Sequence, residues 1–172
     1  MLAAAVGAFV LLVSDGDEGE DGGIDLSSAT ESLRAPRLGL VALYPPGWKR
    51  TERGGGELIQ LKSPDRCVTV SLSSPADASD AARLLREAVR TLRRSFATSE
   101  ARPLPAASVE NETSAGALIA GRSRSGQESA VRVTVTRAQK LAHLTSVFLR
   151  KPPCEEATKG TEAILASIEY TR

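Results

Sequence analysis

The stretch SAVRVTVTR, residues 129–137, places Val131, Val133 and Val135 on one side of an extended chain and Arg132, Thr134 and Thr136 on the other. A period of two marks a half-buried strand, because a helix would scatter the valines around its axis. Two more runs flank it, GALIAGRSR from Gly116 and LAHLTSVFLR from Leu141, with SGQE of hairpin length between the first two. Strands joined by hairpins pair antiparallel. This β region is expected from Val109 to Arg150, ended by Pro152-Pro153.

An earlier β region has the same character. Leu38 to Tyr44 reads as a strand stopped by Pro45, Pro46 and Gly47, since proline cannot donate to a sheet ladder. Leu58 to Lys62 follows the flexible RGGGE turn, and Val68, Val70 and Leu72 alternate with Thr69 and Ser71. The three are expected to form a meander. Asp77 to Phe96 is the clearest helix, capped by Asp77 or Ser79, with Ala81, Leu85, Ala88, Val89, Leu92 and Phe96 at helical spacing. Arg83, Arg86, Arg90, Arg93 and Arg94 lie on its opposite side. A last helix starts at Cys154, with Ala157, Thr161, Ile164, Leu165 and Ile168 inward; Gly160 within it costs about 1 kcal/mol relative to Ala. The order β-β-β-α-β-β-β(-β)-α predicts an α+β fold, an antiparallel sheet flanked by a long central helix and a C-terminal helix.

Composition decides what surrounds this domain. The chain has 172 residues, 41% of them hydrophobic, and a mean hydropathy of −0.14, which excludes wholesale disorder and a polytopic membrane protein. Its net charge of +1 is a cancellation. Residues 1–30 hold six acids and no Lys or Arg, leaving residues 31–172 with 22 basic and 15 acidic residues, a balance of +7. Arg outnumbers Lys by 17 to 5, a bias that fits a high-GC bacterial genome. Leu2 to Val13 is an unbroken apolar run; as a helix it would span about 18 Å, short of a hydrocarbon core of about 30 Å. It reads either as a truncated membrane anchor or export signal or as a buried N-terminal helix. The acidic, Gly-rich segment that follows cannot bury anything, which favours the anchor. The expected organisation is therefore an anchor or signal segment at 1–13, an acidic linker at 14–37 and a domain at 38–172.

YPPGW at Tyr44 to Trp48 after a first strand, a helix after the third strand, a Gly-led strand at Gly116 and a C-terminal helix after the last long strand together resemble the PsbP-like fold. That fold is shared by extrinsic photosystem II subunits and small bacterial envelope proteins. The resemblance covers Leu38 to Tyr170. It implies an antiparallel sheet flanked by helices, and a non-enzymatic binding or assembly module outside the cytoplasm. The lipobox Cys common in secreted bacterial relatives is missing, and the sequence carries no metal-binding motif.

Candidate sites are few. One His and two distant Cys offer little for zinc or haem, and no GxGxxG or P-loop pattern occurs, so neither a cofactor nor a metal is expected. Cys67 and Cys154 are a candidate disulfide if the domain is exported, or two unrelated core thiols. Cys67 alternates away from the Val68/Val70/Leu72 face, which counts against the bridge. The arginines of the long helix form a basic face that docks anionic headgroups or an acidic partner, or is only the solvated side of an amphipathic helix; the acidic linker can fold back onto it. Trp48 is read as a core plug beside the Pro45-Pro46-Gly47 turn, with ligand stacking as the alternative. His143 has no acid or nucleophile at a recognisable offset and is read as structural. Asn111-Glu112-Thr113 matches a glycosylation sequon, which carries no meaning in an ordinary bacterium. Nucleic acid is not an expected partner. The partner is an unidentified protein or envelope component, with the membrane engaged through the N-terminal segment. A small-molecule or lipid carrier with a pocket between helix and sheet is the alternative, favoured by an apolar cavity of several hundred Å3. An enzyme would need His143 in a cleft beside a Ser or carboxylate.

Overall fold

A computed structural model describes residues 30–75, 80–109, 112–138, 141–152 and 154–171. The elements run β1 (Glu31–Ala35), β2 (Leu40–Tyr44), β3 (Lys49–Arg53), β4 (Leu58–Lys62), β5 (Val68–Ser73), α1 (Ala81–Arg93), β6 (Thr98–Val109), β7 (Glu112–Arg122), β8 (Glu128–Ala138), β9 (Leu141–Arg150), α2 (Glu155–Ala166) and β10 (Glu169–Tyr170). Among the described residues every strand pairing is antiparallel, in a three-stranded sheet β1-β2-β10 and a seven-stranded sheet β3-β4-β5-β9-β8-β7-β6. The class is α+β.

Three expectations change. The strand at Leu38 to Tyr44 does not open a meander with the next two; β2 pairs instead with β1 and the short β10. Pro45 and Pro46 interrupt the ladder, and a tight turn with Gly47 at φ +80 redirects the chain, closed by Trp48 N donating to Pro45 O at 3.4 Å. The meander is β3-β4-β5, whose first strand, KRTER, carries no apolar alternation. Residues 31–35, expected in the linker, form β1, and its Leu33 and Ala35 are buried. The central helix is shorter than expected, 13 residues rather than the span Asp77 to Phe96. Asp80 caps it, its carboxylate accepting from Arg83 N at 2.9 Å, and Ser95 and Phe96 leave through a tight turn bonded back to Leu92 O and Arg93 O. Asp77 and Ser79 lie outside the described residues.

The register through β9 separates two cores. Val70 pairs with Val147, and Val147 with Arg132, so these three share one face; Val131 and Val133, one residue out of phase, face the other way. On the first face α2 and the small sheet cover β4, β5 and β9, burying Leu33, Leu40, Ile59, Leu61, Val68, Val70, Leu72, Ala157 and Ile164 together. On the second, α1 lies over β7 and β8, and Phe96, Ala117, Ile119, Val131 and Val133 are buried beneath it.

Two contacts tie α2 to the larger core. Cys67 and Cys154 are disulfide-bonded with Cα atoms 6.2 Å apart, across 87 residues of sequence. A loop of that length gives about 4–5 kcal/mol of stabilisation in the chain-entropy account. The objection from alternation disappears because Cys67 precedes β5, in a turn where Arg66 has φ +59 and Asp65 Oδ1 accepts from Cys67 N at 2.9 Å. Hydrogen bonds from the Ser63 hydroxyl and then from Cys67 N hold the Asp65 carboxyl below the usual range. Trp48 is buried so close to α2 that a Cβ at Gly160 would fall 3.1 Å from Trp48 Cζ2 and 3.1 Å from Pro45 Cγ. A side chain at position 160 would therefore press on Trp48 and Pro45.

His143 is buried on β9 with its ring 4.3 Å from that of Tyr170 on β10, tilted by 36°. Its Nδ1 has no hydrogen-bond partner among the described residues. Desolvation pushes its pKa below the ordinary value of 6.5.

Two outcomes follow from this packing. Gly160→Ala should lower stability by about 1 kcal/mol in chemical denaturation, although alanine is the better helix former, because crowding against Trp48 and Pro45 outweighs propensity; an unchanged or raised midpoint contradicts the contact. A depressed folded-state pKa means that the unfolded chain takes up the proton of His143 first as pH falls. Stability should hold above about pH 7, then drop as pH falls through about 6.5 by at most about 1.4 kcal/mol per unit until the folded value is passed. His143 is the only histidine, so His143→Leu should flatten that slope between about pH 7 and pH 5.5.

Candidate functional site: an arginine-rimmed groove

α1 has Leu85, Ala88, Val89 and Leu92 packed against the second core, yet none of its residues is fully buried. The reason lies underneath. The helix sits over β7 and β8, and beside it the sheet continues to β6, where the side chains facing it are small. A groove of about 550 Å3 is left between helix and sheet. Leu85 and Val89 from α1, Ala101 and Pro103 from β6, and Ala117 from β7 form its apolar surfaces. Arg86, Arg90, Arg93 and Arg94 from α1 complete the lining with Arg102 of β6, whose register with Leu118 and Arg132 turns its side chain to the sheet face away from α1, and no acidic residue among the described residues takes part.

The arginines are not equivalent. Arg93 is pinned to β6, its Nε donating to Ser99 Oγ at 3.3 Å and an Nη to Ser99 O at 3.4 Å. Arg83 pairs with Glu87 at 3.9 Å and is not part of the lining. Backbone N–H donation from Arg83 is the main cause of the lowered Asp80 pKa, and the charges of Arg86 and Arg83 add to it. Arg90, Arg94 and Arg102 have no hydrogen-bond or ion-pair partner among the described residues. Guanidinium groups clustered without counter-charges over an apolar floor create a positive potential that water screens only partly, and their planar forks match carboxylate or phosphate oxygens. The arrangement can bind an anion with an apolar portion.

The sequence placed four of these arginines on the helix side opposite the core. In the fold they flank the apolar stripe closely enough for their stems to lie along it, as long cationic side chains do. Arg102 and the β6 surfaces escaped notice because β6 carries Pro103 and Pro105 and lacks alternation. The other candidates lie elsewhere. Pro45, Pro46, Gly47 and Trp48 form a turn against α2, and His143 is under Tyr170. Asn111 lies outside the described residues. Asp65, Cys67 and Cys154 are close enough to suggest a metal site, but both sulfurs are committed to the disulfide and offer no thiolate. The disulfide fits an oxidising, extracytoplasmic environment. No helix among the described residues is long and apolar enough to cross a membrane.

No family model matches the chain, and no curated protein matches it in sequence. Solved structures do. Cyanobacterial PsbP (CyanoP) from Synechocystis sp. PCC 6803 aligns with a TM-score of 0.56 at 13% identity, over 90% of this chain and 98% of that one. The Saccharomyces cerevisiae Ran-binding protein Mog1p aligns with a TM-score of 0.52 at 13% identity, over 84% and 96%. A protein from Bacteroides thetaiotaomicron VPI-5482 aligns with a TM-score of 0.55 at 15% identity; it covers 82% of this chain, which spans only 48% of that protein. At these identities the likeness is one of fold, and the fold of this chain is PsbP-like.

Proposed function

We propose that the protein is a non-enzymatic binding module of the bacterial cell envelope, held at the membrane by its N-terminal segment with the folded domain on the extracytoplasmic side, and that it binds an anionic envelope component through α1. The observation that carries this reading is the groove itself: four arginines of α1 along an apolar floor, with no acid among the described residues of the lining. Catalysis finds less support, since His143, the one residue suited to general base work near neutral pH, is packed against Tyr170 with an Nδ1 unpartnered among the described residues. The disulfide supports the location. Mog1p is a Ran-binding protein, so a PsbP-like fold serves binding in at least one neighbour. A carrier of small molecules or lipids is the second reading, and the groove volume of about 550 Å3 favours it, being within the range of small-molecule sites.

The full chain should co-sediment with phosphatidylglycerol-containing vesicles and not with neutral phosphatidylcholine vesicles. Binding should weaken as salt is raised and disappear in the double variant Arg86→Glu, Arg90→Glu. Binding that ignores both salt and charge reversal, or no binding at all, overturns the docking face. A reporter fused after Arg172 should be active only outside the cytoplasm; cytoplasmic activity overturns the location.

A further inference from the structure

The proposed docking of α1 on an anionic component leaves open why the arginines surround a groove instead of a flat face. A polyanion or an acidic peptide needs only exposed cations. An apolar floor contributes nothing to such a partner and loses free energy when charged groups are laid over it without water. Here Leu85 and Val89 are left half-buried, and Ala101, Pro103 and Ala117 continue the apolar surface beneath them. Apolar area that stays wet in the free protein is a source of binding free energy for a ligand that can cover it.

The charges are placed to match. Arg93 is committed to Ser99, whereas Arg90 and Arg94 line the groove from α1 without partners among the described residues. Two uncommitted guanidinium groups one turn apart on α1 suit a compact anionic group with several oxygens, such as a phosphate ester, which takes paired N–H donors from more than one arginine. A ligand that fits both features has an apolar chain and an anionic head.

Resting on the reading of α1 as an anion-binding face, we infer that the groove between α1, β6 and β7 is a site for one molecule of an anionic lipid. An acyl chain lies against Leu85, Val89, Ala101 and Pro103, and its phosphate-type headgroup is held by Arg90 and Arg94. The protein then withdraws a chain from the bilayer or presents one, and does more than rest on a charged surface.

The test uses the full chain and soluble probes below their micellar concentrations: dodecyl phosphate, dodecyl maltoside as the neutral amphiphile, inorganic phosphate as the head alone, and poly-glutamate as the acidic polymer, followed by calorimetry. Dodecyl phosphate should bind at least about tenfold more tightly than dodecyl maltoside or inorganic phosphate, since both parts contribute. Arg90→Ala and Arg94→Ala should each weaken it by about tenfold and leave the weak binding of dodecyl maltoside unchanged. Ala101→Trp, on the edge strand, should fill the groove and abolish dodecyl phosphate binding while salt-dependent vesicle docking persists; Ala101→Ser is the variant that keeps the space, and its binding should stay as in the unaltered chain. Dodecyl phosphate bound no better than inorganic phosphate, or bound equally by the Ala101→Trp variant, overturns the lipid site even where vesicle docking is intact. Poly-glutamate bound as tightly as dodecyl phosphate also overturns it, making the groove a site for acidic chain segments. Vesicle docking lost with dodecyl phosphate binding retained overturns the docking face and leaves the lipid site standing.

Discussion

A helix about 10 Å across covers roughly two strands spaced at about 4.8 Å, so two helices cannot cover both faces of a seven-stranded sheet. The rest of the architecture follows from how this chain distributes its limited cover. α2 and the three-stranded sheet occupy one face at β4, β5 and β9; α1 occupies the other at β7 and β8. Strand β9 supplies residues to both faces, which is why its alternation matters more than that of any strand at the margin. Where cover runs out, the surface is either polar, as on the charged strand β3, or becomes the groove beside β6.

The two halves are secured differently. On the α2 side a disulfide and the close contact of Trp48 with Gly160 fix the helix at two points, so that its position is over-determined. On the α1 side no residue of the helix is fully buried, and the tie to β6 beyond apolar contact is the Arg93–Ser99 hydrogen bonding. A rigid half and a lightly packed half suit a binding protein, because the surface that meets a partner is the one with uncommitted apolar area and charge.

Most of the antiparallel framework was legible because half-buried strands announce themselves by alternation, as Val131, Val133 and Val135 do. The strands that escaped are those whose side chains do not alternate. β3 reads KRTER because it is an edge strand, and charged residues there discourage pairing with other chains. β6, the opposite edge, holds Pro103 and Pro105, residues that argue against a central strand and are tolerated only at a margin. β1 looked like linker because only Leu33 and Ala35 of its five residues face inward. The groove went unseen for the same reason: one wall of it, Ala101 to Pro103, belongs to an edge strand without a local signature.

By itself the sequence determined the α+β class, the hairpin order of β7 to β9, the two helices and the basic character of α1. These are local properties, set by periodicity, caps and turn residues within a few positions of one another. Tertiary structure alone decided that β2 leaves the main sheet for β1 and β10, that Cys67 turns to meet Cys154, and that a side chain at position 160 would crowd Trp48 and Pro45. It also decided that the arginines of α1 border an apolar floor built by β6 and β7. Each of these depends on which residues distant in the chain are brought within a few ångströms, and no pattern along the chain encodes that distance.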